Sequence, residues 1–85
     1  MATTPRPNEL AEAIATAAAD QRENYPDLSN ADAVELIRRN FVVAEDAPHY
    51  PGNWAVSVNA QNPVERAYAL VRRATPDELA AALAL

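Results

Sequence analysis

The chain has 85 residues, 49% of them hydrophobic, and a net charge of −5. It contains no cysteine and a single histidine, His49, which excludes disulfides and thiolate metal sites and leaves one imidazole too few for a zinc site. The acidic balance argues against nucleic-acid binding, and no run approaches the ~20 apolar residues of a membrane-spanning helix.

A domain this short buries a modest share of its surface and usually needs a staple or a partner. Alanine supplies 20 of the 85 residues, while Leu, Ile, Val and Phe together supply 17. The expected core is therefore built from close-packed helices of high intrinsic propensity. All seven basic residues are arginine, which reads as coding bias and suggests a bacterial or phage source. Residues 1–53 hold nine acids and four arginines; residues 54–85 hold three of each.

Residues 1–7 form a polar lead with two prolines and nothing resembling a signal peptide, so the expected location is cytoplasmic. Residues 8–85 read as one compact, mostly α domain. Asn8 can cap a first helix over about 8–24, with Leu10, Ile14, Ala17, Ala18 and Tyr25 on one face. Pro26 ends it. Ser29 followed by Asp32 resembles a capping box and opens a second helix over about 30–40, with Ala33, Val34, Ile37 and Phe41 on its apolar face.

Phe41-Val42-Val43 can close that helix or form a strand. Residues 45–53 are a loop with two prolines and the chain's one glycine. Trp54, Val56 and Val58 then alternate with polar or small residues, the period of a half-buried strand. A short β-hairpin of about 41–44 and 54–60 is the simplest pairing. Asn62-Pro63-Val64-Glu65 and Thr75-Pro76-Asp77-Glu78 are two strong helix starts. They predict helices over about 63–74 and 76–84 that meet at a sharp corner. Val64, Ala67, Tyr68, Val71 and Ala74 would face the core from the third helix, and Leu79, Ala82 and Leu83 from the fourth.

No catalytic constellation stands out. Ser29 and Ser57 are better explained as a cap and as a strand's polar side. Glu45-Asp46-Ala47-Pro48-His49 reads as solvated loop charge before it reads as a metal or proton-transfer site. One glycine cannot make a phosphate-cradling loop. The expected function is non-enzymatic, with no cofactor and no metal.

Two segments are candidates for contact with a protein partner. His49, Tyr50 and Trp54 gather the sole histidine and tryptophan beside a tyrosine, and such aromatics dominate binding hot spots. The plainer reading is the preferred one: Trp54 fills the core, and the prolines and Gly52 merely shape a turn. On the third helix Arg66, Leu70 and Arg73 form a stripe that suits an acidic partner or a phosphate; otherwise it is an ordinary solvated face, paired with acids of the first helix. Leu36, Val42, Leu70 and Leu85 fall outside the main apolar stripes, which suggests a homo-oligomer or an accessory subunit. The expected role is a small protein–protein interaction or regulatory module. One alternative is a winged-helix-like DNA-binding regulator, suggested by the helix–helix–hairpin order alone; its recognition helix would carry Arg38 and Arg39 against Asp32 and Glu35. The other is an acidic phage- or plasmid-encoded inhibitor of a host protein.

Overall fold

Three of the four helices begin on the caps written into the sequence. The structure is a computed structural model that describes residues 6–46 and 53–85. Helix α1 spans Pro7–Gln21 and α2 spans Asn30–Asn40. Strands β1 (Phe41–Val43) and β2 (Trp54–Val56) follow, then α3 (Pro63–Arg73) and α4 (Pro76–Leu83). The Ser29 hydroxyl accepts from the Asp32 N–H, and Asn62 Oδ1 accepts from the Val64 N–H. Thr75 and Glu78 make the full reciprocal box: each side chain accepts from the other's backbone N–H. These contacts satisfy donors that a helix start otherwise leaves open.

α1 departs from expectation at both ends. Its N-cap is Arg6, with no side-chain cap, and Pro7 takes the first helical turn. The fixed φ of proline suits that place, so the helix starts ahead of Asn8, which lies inside it. The last helical residue is Gln21, four before Tyr25. Tyr25 therefore leaves the apolar face assigned to it and is 60% exposed. Arg22 fastens the turn that follows: its Nε donates to the Leu28 carbonyl at 2.8 Å, and its guanidinium also donates to Asn30 Oδ1.

The two strands lie where the alternation puts them, but they run parallel, with Phe41 beside Trp54 and Val43 beside Val56. Parallel neighbours usually need a crossover of about a dozen residues; here ten residues separate the strands in sequence. The residues after β1 thus lie beside those after β2. The Ala44 N–H donates to the Val56 carbonyl at 2.8 Å. Glu45 accepts from the Ser57 hydroxyl and from the Val58 N–H, and Glu65 accepts from the Ser57 N–H at 3.1 Å. These carboxylates take up donors that a longer strand would have paired, so β2 ends at Val56 instead of running on to residue 60. A hairpin would set Glu45 toward the start of β2, away from Ser57 and Val58.

The core unites Leu10, Ile14, Ile37 and Val71, its largest fully buried side chains, with Val43, Val56, Tyr68 and Leu79. Alanines 13, 17, 67, 69, 74 and 82 fill the spaces between them. α1 lies against α2, α3 and α4 and is the central element. Ala74 is extended, at φ −66° and ψ 147°, which makes the expected corner between α3 and α4. Leu83 lies at the end of α4 and is 38% exposed, so it does not join Leu79 and Ala82 in the core. Of the apolar residues left outside the sequence stripes, Val42 is buried, Leu70 packs against the core and Leu36 is half-buried, while Leu85 is exposed.

The ends of α2 and α3 are tied to each other. Arg38 of α2 donates through Nη1 to the carbonyl of Ala74, the C-cap of α3, at 3.0 Å. Arg72 of α3 donates through Nε to the carbonyl of Phe41, the C-cap of α2, at 2.8 Å. Each helix thus supplies a cation to the carbonyl-rich, negative end of the other.

Candidate functional site

Trp54 opens β2 and is 71% exposed. This overturns the reading of Trp54 as a core residue. It stands at the first residue of the strand, and the core begins two residues on, at Val56. Ala55 beside it is exposed too. His49 and Tyr50, the other two members of the aromatic segment, lie outside the described residues.

The arginine stripe of α3 is engaged by the chain itself. Arg66 donates through Nη1 to the carbonyls of Ala60 and Gln61, at 2.7 and 2.9 Å. It thereby closes the bend that leads into α3. Arg73 grips Asp46 with both arms, Nε to Oδ2 at 2.9 Å and Nη2 to Oδ1 at 2.7 Å. That forked contact holds the Asp46 carboxyl below its ordinary value. The Ser57 hydroxyl and then the Val58 N–H do the same for Glu45. Glu45 and Asp46 therefore serve as fasteners between the two strands and α3. Among the described residues no three metal-ligating side chains come together.

Leu70 and Arg66 also line an open groove of about 330 Å³ between α1 and α3. Ala13, Ala67, Leu70 and Pro63 give it an apolar floor, and Glu9, Glu12 and Thr16 edge it from α1. The small residues at 13 and 67 recess the surface where the two helices meet. Arg66 does not ion-pair with the acids of α1. Among the described residues the salt bridges are Arg39 with Glu35 and Arg73 with Asp46.

The two serine hydroxyls are likewise occupied. Ser29 caps α2, and Ser57 donates to Glu45 while accepting from the Asn59 N–H. Tyr68 is buried, its ring 4.7 Å from that of Phe41, and its hydroxyl donates to Asp20 Oδ2 at 2.7 Å. Burial first, then the hydrogen bond to Asp20 and its charge, keep this phenol protonated well above the ordinary tyrosine value of 10.0. A raised folded-state value means that the contribution is complete below pH 10 and is lost as pH climbs toward the folded value. We expect stability, measured by urea unfolding, to fall from pH 10 upward by at most about 1.4 kcal/mol per pH unit. Solvent screening at the half-buried Asp20 shortens the pH range over which that slope holds. Tyr68→Phe should flatten it; equal slopes in the two proteins would contradict this role for the hydroxyl.

The structure thus brings Arg66 and Leu70 to one groove and sends Arg73 to a different partner. Neither the groove nor the arginine contacts across the fold were anticipated from sequence. The only signal for them was the exclusive use of arginine, whose planar fork suits carbonyl and carboxylate acceptors. Comparison with protein-family models, with curated proteins and with solved structures finds no match to this chain.

Proposed function

We propose that the chain is a small, non-enzymatic protein–protein interaction or regulatory module that offers Trp54 to a protein partner. The observation that carries this reading is the exposure of the chain's only tryptophan at 71%. Tryptophan brings a large contact area at low entropic cost and is enriched among residues that dominate binding energy. An interaction role explains why so large an apolar side chain is left in water when an alanine-rich core has few bulky residues to fill it.

The DNA-binding alternative has less support. Its resemblance rested on a hairpin, and the two strands pair in parallel. One of its two arginines, Arg38, is occupied at the end of α3. Acids on exposed faces, among them Glu9, Glu12, Glu23, Asp27 and Asp77, fit an inhibitor of a basic host protein, which is one form of the interaction reading.

The test is a pull-down from lysate of the source cell with the immobilised chain, read by mass spectrometry, beside Trp54→Ala. A dominant partner held by the native chain and lost by a variant with unchanged thermal melting is the expected result. Equal capture by both proteins would overturn the assignment.

A further inference from the structure

Two carboxylates on the rim of the α1–α3 groove have no ion-pair partner among the described residues. Glu9 and Glu12 are spaced i, i+3 and edge the groove from α1, and both are exposed. The cation nearest to hand in the lining is Arg66, but the Ala60 and Gln61 carbonyls hold its guanidinium. Glu9 also suits the positive end of α1; Glu12, a turn further on, has no such part. Below them lies the apolar floor of Ala13, Ala67 and Leu70. Hydrogen bonds to neutral carbonyls leave the charge of Arg66 in place, so the lining holds two acids to one cation, and an apolar trough of net negative charge favours an occupant that is both apolar and positive.

We infer that this groove receives a basic amphipathic segment of a partner protein, which sets an apolar side chain on Ala13, Ala67 and Leu70 and a lysine or arginine against Glu9 and Glu12. This reverses the sign of partner expected from the arginine stripe. The stripe suggested an acidic partner, yet its arginines are turned to the chain's own acceptors while the acids of α1 remain free to pair. The net charge of −5 steers a basic segment toward the chain from a distance. The groove excludes Trp54, so this inference shares with the functional reading only the premise that the chain binds proteins.

The test is a heteronuclear NMR titration of the whole chain with a synthetic 14-residue peptide carrying leucine and lysine at helical spacing, a length of about four turns. One analogue replaces its leucines with serine; another replaces its lysines with glutamate. The expected result is a set of saturable shift changes centred on Glu9, Glu12, Ala13, Thr16, Ala67 and Leu70. Affinity should drop about tenfold in a Glu9→Gln/Glu12→Gln chain and stay within about twofold in a Glu23→Gln/Asp27→Asn chain, which removes two exposed acids elsewhere. Both analogues should bind at least about tenfold more weakly. These substitutions are on the surface, and a circular dichroism melt confirms that each chain folds. No binding, shifts spread evenly over all acidic faces, equal loss in the two double variants, or undiminished binding of the serine analogue would each overturn the inference. Trp54→Ala should bind the peptide as the native chain does, so failure here and failure of the Trp54 assignment are separate outcomes.

Discussion

Ile14→Ala is expected to cost about 3–4 kcal/mol, within the usual range for removing three carbons from a packed interior. Ile14 is 1% exposed and sits midway along α1, the helix that touches the other three. Its neighbours on that face are Leu10 and three alanines, Ala13, Ala17 and Ala18. Alanines have no side-chain freedom with which to swing into a cavity, so the void stays and the penalty lies toward the upper part of the range. For a domain of this length each kcal/mol moves the melting temperature by about 4–8 °C. The variant should therefore melt at least about 12 °C lower, a large fraction of the roughly 4–13 kcal/mol that stabilises a domain of this length being lost. Thermal unfolding followed by circular dichroism measures the shift. A loss under about 1 kcal/mol would mean that α1 is not seated as described.

Arg72→Ala should cost about 1–2 kcal/mol, far more than an exposed arginine contributes. The side chain is half-buried and gives a charge-assisted hydrogen bond to the Phe41 carbonyl, where α2 hands over to β1. Without it that carbonyl loses a charged donor, and the helix end loses a favourable cation. Arg38→Ala should cost a similar amount at the end of α3. Arg39→Ala is the matched control, because its contact with Glu35 is an exposed i, i+4 pair at 3.6 Å and should be worth about 0.3–0.5 kcal/mol. Urea unfolding of the three variants gives the ranking. If Arg72→Ala and Arg38→Ala fall no further than Arg39→Ala, the reciprocal capping is not a source of stability.

The helix starts were legible because capping chemistry is local. Ser29, Asn62 and Thr75 each bond to a backbone N–H two or three residues ahead, and that spacing is visible in the sequence. Where two local signals competed, at Pro7 and Asn8, the proline's fixed backbone angle decided. Strand direction was not legible: the alternation of Trp54, Val56 and Val58 assigns faces but is blind to parallel or antiparallel pairing. The direction becomes evident in the register of Phe41 with Trp54 and Val43 with Val56, and in Glu45 and Glu65, which take the donors of Ser57 and Val58.

The candidate site was legible in its residues more than in its chemistry. Trp54 stood out by composition, but whether a lone tryptophan is core or surface depends on where the strand meets the core. The arginines of α3 were visible as a stripe, yet their acceptors lie across the fold: Arg73 reaches Asp46 and Arg72 reaches Phe41. Once those acceptors are known, the charge beside Leu70 is Glu9 and Glu12 against Arg66, and the partner we infer for the groove is basic where the stripe suggested an acidic one.

The reading of this chain as an interaction module depends on Trp54 standing in water. Because it is the only tryptophan, acrylamide quenching of the intrinsic fluorescence of the free chain reports on that side chain alone. Quenching close to that of a tryptophan in a short unfolded peptide, with the red-shifted emission of a solvated indole, is the expected result. Blue-shifted emission that resists acrylamide would place Trp54 inside the fold and contradict the claim that it is held out for a partner.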